Sequence, residues 1–222
     1  MKAILFGATG MIGRGVLREC LLDARIERVL AIGRASCGER HAKLDEIVRT
    51  DLFDLRELEP QLAGTDACFY CLGVSSAGMS EADYTRITYD LTLAVASRLL
   101  RSNPQLALGF ISGAGADSSE RGRTMWARVK GRAENAVLAL SPRATVFRPG
   151  IIQPLHGITS RTLSYRALYA VLGPLMPVLR ALAPNQVTTT ELLGRAMIEA
   201  AASGAPKRVL ESADINALAA RH

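Results

Sequence analysis

Apolar residues in this chain fall into short runs separated by longer stretches of helical period. The runs are Ala3–Phe6, Arg28–Ile32, Glu46–Thr50, Ala67–Cys71, Leu106–Ile111 and Thr145–Arg148. Their length suits buried strands. Between most of them, Ile12–Leu22, Glu81–Leu100 and Thr124–Leu140 repeat apolar residues every three to four positions, as amphipathic helices do. The connection at Asp51–Leu62 is shorter and leaves room for a single helix of about two turns. Strand and helix in alternation predict an α/β fold, a Rossmann-type doubly wound parallel sheet with both faces covered. After Pro149 the rhythm changes. Arg161–Leu182 is expected as a helix interrupted by Gly173-Pro174 and Pro177, and Thr190–Ala202 as a helix capped by Thr188 or Thr189. Arg208–Leu210 is expected as a late strand, with Asp214 capping a last helix. The expectation is one domain over residues 1–222, with 151–222 as a covering segment across the sheet's carboxyl edge.

Composition narrows the class. At 222 residues, 49% hydrophobic and 22% charged, the chain can bury a full core, which excludes global disorder. The apolar charge-free run Ala167–Leu179 is broken by Gly173, Pro174 and Pro177 and is too short for a membrane helix. The opening MKAILFGATG lacks the form of a secretory signal, so a soluble cytoplasmic protein is expected, with no membrane partner. The net charge of +6 comes mainly from arginines spread along the chain, and aromatics are only 5%. Nothing resembles a basic block or a stacking platform, so a phosphate-bearing small molecule is the expected partner rather than nucleic acid. Cys68 and Cys71 form a C-x-x-C within a strand-like run, where residues three apart face opposite ways. With Cys20, Cys37 and three histidines they make no metal-site spacing, and free buried thiols are expected.

The strongest chemical signal is Gly7-Ala8-Thr9-Gly10-Met11-Ile12-Gly13, placed directly after the first strand and opening the first helix. In that context Gly7 makes the tight turn, Gly10 admits a pyrophosphate and Gly13 lets helix and strand pack closely. The helix N-terminus then presents unpaired N–H groups to the phosphates. At the end of the second strand, an enzyme using NAD needs a carboxylate for the ribose 2′-hydroxyl. This chain has Ala31-Ile32-Gly33-Arg34, with no acid before Glu39. Arg34 suits a 2′-phosphate, and Arg14 is a candidate second partner, so NADP is expected in preference to NAD.

Several further segments carry a resemblance: Asp51-Leu52 after the third strand, Cys71-Leu72-Gly73 after the fourth, Val129-Lys130-Gly131, and Arg148-Pro149-Gly150 after the sixth. With the glycine loop they resemble the atypical branch of the short-chain dehydrogenase/reductase superfamily, and within it the oxidoreductase-like Tat-interacting proteins and their bacterial NAD(P)-binding, epimerase-like relatives. The resemblance implies that Asp51 and Leu52 lie at the adenine. It likewise implies Cys71, Leu72 and Gly73 at the adenosine ribose and pyrophosphate, with the turn Pro149, Gly150 and Ile151 at the nicotinamide.

It also implies a Tyr-x-x-x-Lys pair: a tyrosine that exchanges the substrate proton and a lysine that holds the nicotinamide ribose, with a serine steadying the substrate oxygen. Lys130 matches, but the tyrosine position is Trp126, whose indole N–H only donates. Gly113 stands where many relatives carry the functional serine, leaving Ser112, Ser118 and Ser119 nearby. Lys130 and Ser112 are the candidate catalytic residues, and Tyr84, Tyr89, Tyr165 and Tyr169 are candidate replacement acids. Two readings follow: an NADP(H)-binding module acting as a redox sensor or regulator, or an NADP-dependent oxidoreductase or epimerase-like enzyme on a small carbonyl or sugar nucleotide. A nucleic-acid-binding reading is the weakest of the three.

Overall fold

The computed structural model describes residues 1–159, 176, 183 and 185–222. Apart from Met176, the helix expected at Arg161–Leu182 lies outside them, and so do Tyr165 and Tyr169. Nine strands are described: β1 (Lys2–Phe6), β2 (Arg28–Gly33), β3 (Leu44–Val48), β4 (Ala67–Tyr70), β5 (Ala107–Ile111), β6 (Ala144–Arg148), β7 (Ile151–Gln153), β8 (Val187–Thr189) and β9 (Val209–Glu211). Seven of them form one sheet in the order β3-β2-β1-β4-β5-β6-β9, with every neighbouring pair parallel. β7 and β8 pair as a separate parallel ribbon. The helices are α1 (Met11–Leu22), α2 (Glu59–Leu62), α3 (Glu81–Thr85), α4 (Leu91–Ser102), α5 (Met125–Leu140), α6 (Thr190–Ser203) and α7 (Ser212–Ala219).

Because side chains alternate along a strand, the sheet has two separate cores. Ala3, Leu5, Phe69, Ile111 and Phe147 pack with Val16, Leu17 and Cys20 of α1 and with Leu193, Ala196 and Met197 of α6. Ile4, Phe6, Cys68, Tyr70 and Phe110 pack on the other face with Val95 and Leu99 of α4 and Ala133 and Val137 of α5. Phe6, Tyr70 and Phe110 run across β1, β4 and β5 with ring centroids 5.8 and 5.9 Å apart. The C-x-x-C divides as its spacing demands: Cys68 belongs to the second core, while Cys71 packs against the first.

Several elements differ from the sequence expectation. The third strand begins at Leu44 rather than Glu46, because an edge strand with alternating exposure carries no continuous apolar run to mark its start. The helix expected over Glu81–Leu100 is interrupted by a π-helical turn at Arg86–Asp90, where Thr92 Oγ1 donates to the Thr88 carbonyl at 2.7 Å. Thr189 caps α6 by accepting from Leu192 N at 3.0 Å. Asp214 is not the cap of α7; Glu211 is, and Asp214 completes a capping box by accepting from Glu211 N at 2.9 Å. Part of the C-terminal third completes the Rossmann layer: β9 extends the sheet beside β6, and α6 packs on α1.

Candidate cofactor site

The order β3-β2-β1-β4 reverses direction between β1 and β4, and a parallel sheet opens a crevice outside its carboxyl ends there. The glycine loop occupies that point. Gly7 has φ 85°, and a Cβ on it would stand 2.6 Å from the Cys71 carbonyl oxygen. A Cβ on Gly13 would stand 2.0 Å from the Gly7 oxygen, so only glycine permits α1 to pack there. Gly10 is different. The nearest atom to its Cβ would be Gly7 O at 3.4 Å, so packing within the chain does not demand glycine there, and its bare backbone leaves room for a ligand to approach. Gly10 is also the N-cap of α1 and makes no side-chain cap bond, and the first turn holds no acid, so the helix N–H groups are open to phosphate. This cradle fits a dinucleotide.

Beside it lies a cavity of about 340 Å³, walled by Gly7, Ala8 and Thr9, by Gly33 and Arg34 at the end of β2, and by Leu72 after β4. Arg34 is exposed and makes no hydrogen bond or ion pair among the described residues. Glu46 of β3 also faces the cavity, an acid that the sequence reading passed over. Its Oε1 accepts from Cys37 N and its Oε2 from Ser36 Oγ, both at 2.7 Å. Burial raises the Glu46 carboxyl, but hydrogen bonds from the Cys37 thiol, from Cys37 N and from Ser36 outweigh it and hold the group below its ordinary value. Other expected residues are placed elsewhere. Arg14 lines a different cavity, along α1. The Leu52 side chain is buried in the second core, and exposed Asp51 turns its carboxylate to Phe53 N at 2.8 Å. Cys71 contributes its carbonyl against Gly7, while its thiol is pushed up by burial; the backbone at Gly73 is open. Met11 and Ile12 pack half-buried against the first core.

At the opposite end, Lys130 on α5 sends Nζ to the Ile111 carbonyl at 3.2 Å, above the Phe110 ring. Burial draws its pKa down to about 8, opposed by Glu134 one turn along the helix. Trp126 is half-buried, with its indole Cη2 3.5 Å from where a Gly115 Cβ would stand. The serines separate clearly. Ser118 Oγ accepts from Arg148 Nη2 at 2.6 Å and Ser119 Oγ donates to Asp117 at 2.6 Å, whereas Ser112 Oγ is buried without a partner among the described residues. A Cβ at Gly113 would meet nothing within 4 Å. Tyr84 is buried on α3, and the Tyr89 ring is covered by Arg132 at 4.1 Å. The turn after β6 is tied down: Pro149 O accepts from Ala114 N at 3.0 Å, Gly150 N donates to Ser212 Oγ at 2.8 Å and Ile151 N to Gln186 O at 3.0 Å.

Sequence reasoning missed what holds these two walls together. Glu134 is fully buried and accepts from Arg148 Nε at 3.0 and 3.2 Å and from Arg148 Nη2, while Arg148 Nη1 reaches Glu211 at 3.4 Å. The pair bridges α5, one turn beyond Lys130, to the residue before Pro149. An acid at an inward position of α5 and an arginine closing an apolar strand were the available signals.

Comparisons with known proteins agree with this architecture. Protein FMP52, mitochondrial, of Eremothecium gossypii is 30% identical over 155 residues, covering 68% of this chain and 66% of that protein. Protein HTATIP2 of Rattus norvegicus is 29% identical over 155 residues, covering 68% and 62%. The matches thus span slightly less than two thirds of those relatives. Among solved structures, the dTDP-glucose 4,6-dehydratase DesIV of Streptomyces venezuelae, with NAD bound, superposes with a TM-score of 0.70 at 15% identity, covering all of this chain and 80% of that one. The Bordetella bronchiseptica enzyme WbmF in complex with NAD+ gives 0.67 at 14% identity, covering 97% and 76%. These likenesses establish the fold, and the atypical short-chain dehydrogenase group is the one expected from the motifs. The family model for NAD-dependent epimerases and dehydratases matches residues 3–152. The chain belongs to the NAD-dependent epimerase/dehydratase family.

Proposed function

We propose that this protein binds NADP(H) and lacks the proton relay of an ordinary dehydrogenase, so that it serves as a redox-sensing or regulatory nucleotide-binding protein whose partner is a small molecule. One observation carries the reading: the position four residues before Lys130 is Trp126, a donor that does not titrate in water, while the phosphate cradle is intact. In this reading the N–H groups opening α1 hold the pyrophosphate and unpartnered Arg34 takes the 2′-phosphate. Lys130 holds the nicotinamide ribose. When bound, the cofactor supplies or accepts hydride, and the chain's own task is to bind and orient it. Losing general-acid help costs a factor of about 10²–10⁴ in rate.

A second reading, an NADP-dependent oxidoreductase or epimerase-like enzyme on a small carbonyl or sugar nucleotide, draws support from Ser112. Its buried, unpartnered hydroxyl is one side chain suited to steadying a substrate oxygen. The test pairs binding with turnover. NADPH and NADH are titrated against Trp126 fluorescence, and NADPH consumption is followed over a panel of carbonyl compounds. Tight NADPH binding with negligible consumption supports the binding module; robust turnover by the wild type overturns it in favour of the enzyme.

A further inference from the structure

We propose a second ligand site, apart from the cofactor cleft, along α1, taking an amphipathic anion: an alkyl or acyl body with a carboxylate or phosphate head. A cavity of about 490 Å³ lies there, within the range of small-molecule sites. Its walls are the face of α1 that carries Arg14, Leu17, Arg18, Leu21 and Leu22, the β2–β3 connection at Glu39 and His41, and the loop His156–Ile158 after β7.

Along α1 the lining runs Arg14, Leu17, Arg18, Leu21 and Leu22, so Arg14 stands alone towards the N-terminal end and the leucines extend from it to the C-terminal end. From Arg14 to Leu22 the helix rises roughly 12 Å. A ligand with a charged head and an apolar tail matches that gradient, with its head at Arg14, where the helix N-terminus adds positive potential. Arg14 is the cation left free for it: its Nε is buried and has no partner among the described residues, whereas Arg18 is bonded to Glu19. A buried guanidinium N–H without an acceptor is costly, and an anion would satisfy it. Leu22, 64% exposed, would be covered by the tail. Glu39 is the one carboxylate among the described lining residues, and Arg14 faces it without an ion pair of its own among them.

The opposite wall is anchored. Leu155 N donates to Thr190 Oγ1 at 3.1 Å, Ile158 N donates to Leu155 O at 3.1 Å, and His156 Nε2 meets Glu191 Oε2 at 2.7 Å. His156 is also one of two non-glycine residues with positive φ, at 56°, among those described, a conformation that these bonds sustain. This wall is therefore held to the start of α6 and does not depend on a ligand to form.

Calorimetric titration of the whole chain with decanoate, decyl phosphate and decanol, each below its micelle concentration, tests the site. We expect both anions to bind and decanol to bind at least ten-fold more weakly; the tighter anion names the head group. Arg14→Gln should weaken anion binding roughly 10- to 100-fold, the effect of one charge-assisted hydrogen bond. Ile158→Glu, in a loop, places a carboxylate in the cavity and should abolish it while NADPH affinity stays unchanged. Saturating NADPH should leave decanoate affinity within about two-fold. Equal binding of decanol, displacement of decanoate by NADPH, no measurable anion binding, or indifference to both substitutions would overturn the proposal, whatever the outcome for the cofactor.

Discussion

Glu134→Ala is the sharpest test of how α5 is held to the turn after β6. The substitution removes the acceptor of Arg148 Nε and Nη2 and leaves a guanidinium whose side chain is 14% exposed. Stripping one partner from a buried pair costs about 3–5 kcal/mol, because the remaining charge stays desolvated. Glu211 keeps Arg148 some company at 3.4 Å but is itself half exposed, so the lower end, about 3 kcal/mol, is expected. For a chain of this size that corresponds to a fall in Tm of about 6–12 °C. Urea unfolding followed by circular dichroism would measure it, with Glu134→Leu/Arg148→Met as the control. The double variant replaces the pair with apolar volume and should recover most of the loss. The same change should lower the Lys130 pKa further below about 8, because Glu134 is the group that raises it; the pH dependence of reductive methylation at Lys130 reads this directly. A destabilisation under about 1 kcal/mol, or a double variant no more stable than the single, would refute the buried-clamp argument.

Other expectations follow from the same geometry. Arg34→Asp should lower the NADPH-to-NADH affinity ratio by roughly ten-fold or more, from the loss of one charged contact, as measured by parallel titrations; an unchanged ratio moves the phosphate partner elsewhere. Gly10→Val should leave thermal stability nearly unchanged, since its Cβ meets nothing closer than 3.4 Å, yet abolish NADPH binding; a folded variant with full affinity removes the dinucleotide reading. The depressed Lys130 pKa means that the folded state binds fewer protons than the unfolded one between about pH 8 and the ordinary 10.5. The cost of burying this ammonium is therefore complete below pH 8 and fades as pH rises through that window. Lys130→Met should be more stable than wild type at pH 7, with the gap narrowing towards pH 10.5, and should bind NADPH more weakly; a pH-independent gap would count against a buried lysine. Trp126→Tyr combined with Gly113→Ser, for which the open space at Gly113 leaves room, should raise carbonyl-reducing activity above that of the wild type; no gain in a folded, NADPH-binding variant would show that more than these two positions is needed.

Local pattern was enough to give the Rossmann class, the glycine cradle and the Trp126–Lys130 spacing, because each is written in adjacent residues: short continuous apolar runs in strands buried on both faces, helical period between them, and glycines at fixed offsets in a strand-to-helix turn. The place of Arg34 at the cavity was legible for the same reason, as the residue that follows β2. Edge and helix irregularities were not. The start of β3 depends on a neighbour's ladder, and the π-turn at Arg86–Asp90 leaves the apolar pattern running through it. Nor did local pattern join residues far apart in the chain. Glu134 meets Arg148 only because β6 lies beside β5 under α5, and Glu46 reaches the Arg34 cavity only because β3 pairs in parallel with β2. Arg14, read as a candidate second phosphate partner, lines the cavity along α1, a placement that helical rotation and not sequence adjacency decides. Motifs that satisfy themselves within a few residues are visible in one dimension, whereas partners brought together by strand order and helix docking exist only once the sheet has formed.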